Sequence, residues 1–126
     1  MTTPASKRAM SPSMLQVMLG KPIEIDTPRV FVNPPISHLC GANPPQIIRW
    51  DNQTGGPVMI WLPNGDKLLD PPSGGDFSKP FLIPPKGDLV LSVKENPKKA
   101  RIQYHVYCEV IGDYAEGNSP PVLSCP

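Results

Sequence analysis

The chain has 126 residues, enough to bury roughly two-thirds of its unfolded surface and to fold as one domain without disulfides or a metal. Twelve basic against eleven acidic residues leave a formal charge of +1, so no global field recruits nucleic acid or an anionic membrane, and no apolar stretch approaches bilayer-spanning length. Nineteen prolines and ten glycines, with apolar runs persisting between them, favour many short strands and turns over disorder.

In chain order, residues 1–20 read as an N-terminal arm: a polar tail and then a short helix, with Ser11 or Ser13 as N-cap and Gly20 as its stop. Met14, Leu15 and Met18 would lie over the domain or dock on a neighbouring subunit. Lys7 and Arg8 precede this apolar run, but it is short, broken by Gln16 and followed by no small-residue cleavage signal. The expectation is therefore a soluble cytoplasmic chain, or a periplasmic or secreted one if a leader has been removed.

Residues 21–126 read as the domain proper. The apolar period there is two, predicting strands over 22–26, 29–33, 46–52, 58–62, 81–83, 88–94, 100–110 and 121–124. Proline pairs at 34–35, 44–45, 71–72, 84–85 and 120–121 fall between strands or on edges, since proline cannot donate to a central ladder. Short strands at regular spacing, with no helix between them, point to an all-β, antiparallel Greek-key sandwich. On the longest strand, Ile102, Tyr104, Val106, Cys108 and Val110 should face the core, and Arg101, Gln103, His105, Tyr107 and Glu109 the other side. The turn 95–99 should join it as a hairpin to the strand carrying Leu89, Leu91 and Val93.

Three cysteines, Cys40, Cys108 and Cys125, leave at least one thiol unpaired in a monomer. A Cys40–Cys108 bridge is one possibility that counting does not establish, and a reducing compartment would leave all three free.

Three stretches resemble the cupredoxin family. Asn33-Pro34-Pro35-Ile36 followed by Ile47-Ile48-Arg49-Trp50-Asp51-Asn52 is similar to its early strand, proline break and strand with a Trp-x-Asn pattern. Phe81-Leu82-Ile83-Pro84-Pro85-Lys86-Gly87, then Leu89, Leu91 and Val93, is similar to its strand–turn–strand. Tyr104-His105-Val106-Tyr107-Cys108 resembles the strand that delivers the copper thiolate. The resemblance spans roughly residues 22–124 and implies a plastocyanin-like sandwich.

The family's type 1 copper centre needs two imidazoles and a thiolate, usually with a weak axial methionine. By the resemblance, Val58 and Ile111 stand where the imidazoles would be, and nothing after Cys108 is histidine or methionine. No cofactor is expected, and Cys108 reads as a small buried hydrophobe.

Other chemistry finds little purchase. His38, Cys40, His105 and Cys108 have a zinc-like composition, but residues three apart on a strand, such as His105 and Cys108, point to opposite faces. No nucleophile–base motif is recognisable. Gly55-Gly56 and Gly74-Gly75 lack the spacing and lysine of a phosphate loop. Lys94, Lys98, Lys99 and Arg101 read as the solvated tip of a hairpin, with no aromatic platform beside them for nucleic acid.

The expectation is a non-enzymatic, copper-free module acting in protein interaction or self-association. It would use the loop over 109–119, with Asp113, Tyr114, Glu116 and Asn118, or the 52–56 turn, or the arm. Met59 and Trp61 alternate on one strand, so one of these large side chains should be exposed unless the arm covers it. A metal-binding or electron-transfer protein with unconventional ligands among His38, Cys40, Met59, His105 and Cys108 is the competing class, and a structural subunit is a third.

Overall fold

A computed structural model describes residues 13–20, 29–40, 44–72, 75–115 and 120–126. These residues form eleven strands and one short 3-10 turn (Gly65–Lys67), with no α-helix among them. The strands are β1 (Ser13–Gly20), β2 (Arg29–Asn33), β3 (Ile36–His38), β4 (Ile47–Asn52), β5 (Val58–Trp61), β6 (Phe81–Ile83), β7 (Asp88–Ser92), β8 (Ala100–Gln103), β9 (His105–Cys108), β10 (Asp113–Tyr114) and β11 (Val122–Cys125). They make three sheets, ordered β2-β1-β4-β7, β10-β9-β5-β6 and β3-β11-β8. The arrangement is all-β and consistent with a sandwich. It is not wholly antiparallel, because β1 runs parallel to β4 and β3 parallel to β11.

The core is built by period-two alternation. Along β4, Ile48, Trp50 and Asn52 are buried while Ile47, Arg49 and Asp51 are half-buried. Along β5, Val58 and Ile60 point in and Met59 and Trp61 point out. Leu15, Val17, Ile48, Trp50, Ile60, Leu62, Leu69, Ile83, Tyr104 and Leu123 are fully enclosed. Burial of apolar side chains on this scale is the dominant stabilising term, at about 1.5–3 kcal/mol for each large one. The proline pairs at 34–35, 71–72, 84–85 and 120–121 lie outside strands as expected, and the pair at 44–45 precedes β4.

Several sequence expectations are corrected. Residues 13–20 are not a helix but a strand, β1, lying between β2 and β4 with Leu15 and Val17 facing the core. Residues 1–12 and the strand expected over 22–26 lie outside the described residues. The single strand expected over 100–110 is two, β8 and β9, which belong to different sheets and part at Tyr104, whose N–H donates to Pro121 O at 3.0 Å. Tyr104 remains buried, so alternation continues while the ladder changes; Val110, expected inside, is exposed.

The hairpin between residues 88–94 and 100–110 is absent. β7 pairs with β4 and β8 with β11, so the 94–99 segment connects two sheets instead of turning back within one. β3 and β10 had no counterpart in the sequence reading. The disulfide joins Cys40 to Cys125, not to Cys108, with Cα atoms 5.2 Å apart. Parallel pairing of Ser124 with His38 brings the ends of β11 and β3 together and so selects that partner.

Candidate functional site: an aromatic sheet face

The outer surface of the β10-β9-β5-β6 sheet carries large apolar side chains where alternation normally leaves polar ones. Register aligns them in two rows. Tyr114 lies opposite Tyr107, Tyr107 opposite Met59, and Met59 opposite Leu82; one step along, His105 lies opposite Trp61. Met59 and Trp61 are each 40% exposed, Tyr114 56% and Leu82 63%, so both large residues of β5 face outward.

The rings contact one another. Trp61 and His105 have centroids 5.5 Å apart at 31°, a tilted stack. Tyr114 meets His105 edge-on at 6.4 Å and Tyr107 edge-on at 5.1 Å. Such pairs hold their partners in fixed orientations at about 0.5–1.5 kcal/mol each beyond area burial. Met59, Trp61, Pro80, His105, Tyr107 and Tyr114 enclose an open hollow of about 180 Å³, with no acidic, lysine or arginine side chain among them.

Of the loop residues expected to carry recognition, Tyr114 belongs to this face and Asp113, next to it on β10, is exposed. Glu116 and Asn118 lie outside the described residues. The turn over 52–56 is mainly a structural staple. Asn52 Nδ2 donates to Gly56 O at 2.7 Å and to Ile83 O and Pro84 O at 3.1 Å, while its Oδ1 accepts from Thr54 N and Oγ1 at 3.0 and 2.8 Å. Asn52 and Thr54 are buried, leaving Gln53 and Gly55 as that turn's exposed surface.

The residues weighed as unconventional metal ligands lie apart. His38 is exposed on β3, in a different sheet from His105, and Cys40 is consumed by the disulfide. His105 and Met59 belong to the aromatic face, whereas Cys108 is a free thiol with no exposure. Among the described residues no three His, Cys, Asp or Glu side chains cluster as a metal site. Cys108 instead lies opposite Val58 at the end of the β5–β9 ladder, both fully buried, and Ile111 packs against the same core. Glu109 N–H to Pro57 O at 3.2 Å and Gly112 N–H to Cys108 O at 2.9 Å close the chain over this end.

The sequence leads one to expect only one of Met59 and Trp61 outside, but residues two apart share a face and both are exposed; Tyr114 is singled out there with its loop. Stacking of Trp61 on His105, 44 positions along the chain, depends on the β5–β9 register and left no local signal. No family model and no curated protein matches the chain. Among solved structures it is similar to Lac15 from a marine microbial metagenome, at 18% identity and a TM-score of 0.48 over 93% of this chain and 32% of Lac15. The chain thus spans about a third of that protein's length.

Proposed function

We propose that this chain is a copper-free, cupredoxin-like Greek-key module without catalytic activity, which binds an extended proline-rich segment of a protein partner on its aromatic sheet face. The carrying observation is the set of ringed side chains Trp61, His105, Tyr107 and Tyr114 around one hollow that no acidic, lysine or arginine side chain lines. Proline-rich segments are extended before they bind, so little ordering entropy is lost, and their rings pack well on aromatic side chains. The absence of acidic, lysine and arginine side chains from the lining matches an uncharged proline run. At about 180 Å³ it is smaller than the roughly 300–1,000 Å³ of a typical small-molecule site, which favours side chains offered in sequence by a peptide.

The copper-free part of the reading is supported by Val58 and Ile111, the residues that the cupredoxin resemblance aligns with the two imidazoles. Both are aliphatic, and Val58 lies opposite Cys108 in the β5–β9 ladder with neither of these two exposed to solvent. A lone thiolate does not make a type 1 site. The Cys40–Cys125 bond favours an oxidising compartment over the cytoplasm, where such bonds are kept reduced.

The test is calorimetric titration with an oligoproline peptide of about ten residues. Saturable one-to-one binding should be weakened at least about tenfold by Trp61→Ala and by Tyr114→Ala, because aromatic anchors dominate such contacts. Absence of binding, binding indifferent to both substitutions, or a dimer formed by this face in place of peptide binding overturns the proposal.

A further inference from the structure

The 94–99 segment, which connects β7 to β8, packs beside the 3-10 turn at the far end of β5 from Val58. Lys67 from that turn and Lys94, Lys98 and Lys99 from the segment line one hollow of about 570 Å³, together with Glu95, Asn96, Pro97 and Ala100. Four of the chain's twelve basic residues thus meet one acidic residue in a single groove of a nearly neutral protein. Among the described residues none of these lysines is in an ion pair; the ion pairs recorded there join Arg49 to Asp51 and Asp88.

The groove is held from both sides. Lys94 N–H donates to Leu68 O at 2.9 Å, Leu69 bridges to Val93, and Asp70 N–H donates to Ser92 O at 2.9 Å, fixing the segment's start to the turn that carries Lys67. Near its far end Pro97 O lies 3.7 Å from Cys125 Sγ, so the disulfide backs the loop. Because β7 and β8 belong to different sheets, the lysines are not the tip of a hairpin, and Arg101 already supplies an exposed cation on edge strand β8.

We infer that this groove binds a soluble ligand carrying several adjoining phosphate groups, of the condensed-phosphate type. Lysine ammonium groups serve as mobile point charges for phosphate, and several around one hollow match successive anionic groups better than a single one. Its volume falls within the range of ligand sites. The lining has no aromatic side chain on which a nucleic-acid base would stack, and only Pro97 and Ala100 as apolar groups, too little to enter a lipid surface.

The experiment is calorimetric titration of the full chain with tripolyphosphate, beside orthophosphate and anionic phospholipid vesicles, at about 50 and about 150 mM salt. One-to-one tripolyphosphate binding should be at least about tenfold tighter than orthophosphate binding and should weaken with salt, as exposed charge interactions do. A Lys98→Ala/Lys99→Ala double variant and Lys67→Ala should each weaken it several-fold or more with unchanged unfolding midpoints and unchanged oligoproline binding. Lys86→Ala, remote from the groove, should leave it intact. Absence of saturable binding, an equal loss in Lys86→Ala, or binding to vesicles alone overturns the inference.

Discussion

Trp50 Nε1 donates a 3.0 Å hydrogen bond to Tyr104 Oη, joining the middle of β4 to the residue at which the chain passes from β8 to β9. Their rings meet edge-on at 5.7 Å, and neither side chain has solvent exposure. One buried pair therefore ties the β2-β1-β4-β7 sheet to the crossover between the other two. Tyr104→Phe keeps the ring but leaves a buried indole N–H without an acceptor, an expected loss of about 1–3 kcal/mol by urea unfolding at neutral pH.

The same pair gives a pH dependence. Burial pushes the Tyr104 phenol well above its ordinary value, with the Trp50 hydrogen bond pulling more weakly the other way. An unfolded tyrosine ionises near about pH 10 while the folded one stays neutral, so its contribution is complete below that pH and lost as pH rises further. Urea unfolding near pH 7 and near pH 11 should show a smaller alkaline loss in Tyr104→Phe than in the parent.

The Cys40–Cys125 bond closes a loop of 85 residues. In the chain-entropy account such a cross-link contributes about 4–5 kcal/mol by restricting the unfolded state. A Cys40→Ala/Cys125→Ala variant should lose most of that, and reductant should shift the parent's unfolding midpoint without shifting the variant's. Thiol titration of the unreduced, denatured chain should find Cys108 alone.

Val58 and Cys108, register partners that are both fully buried, carry a prediction about metal. Protein prepared with copper and zinc present should hold neither stoichiometrically and show no intense thiolate-to-copper band, because one buried thiol lacks imidazole partners. Metal analysis with a visible spectrum checks this, and a coloured one-to-one copper protein would refute it.

Much of the strand content was legible because alternation is local. That Trp50 shares a face with Asn52, Arg49 with Asp51, and Met59 with Trp61 follows from period two, whereas the outward direction of the Met59 and Trp61 face does not. β1 was misread because Met14, Leu15, Val17, Met18 and Leu19 are all apolar, so alternation is hidden, and its parallel pairing with β4 is long-range. Tyr104 hides the opposite way: the residues around it keep period two while their ladders go to different sheets. The candidate site was half legible. Trp61 and Tyr114 drew notice singly, but their meeting through His105 and Tyr107 is fixed by pairing across the β5-β9-β10 ladders. Counting three cysteines does not pick the Cys40–Cys125 pair, because that choice depends on β11 lying parallel to β3.

The most direct measurement is a nuclear magnetic resonance titration of the isotope-labelled chain with the oligoproline peptide, following backbone amides and the Trp61 indole. The expected result is saturable shifts concentrated on β5, β9 and β10 around Met59, Trp61, His105, Tyr107 and Tyr114, with the buried Trp50 indole unmoved. Shifts centred elsewhere, or none at saturating peptide, would contradict recognition by this face.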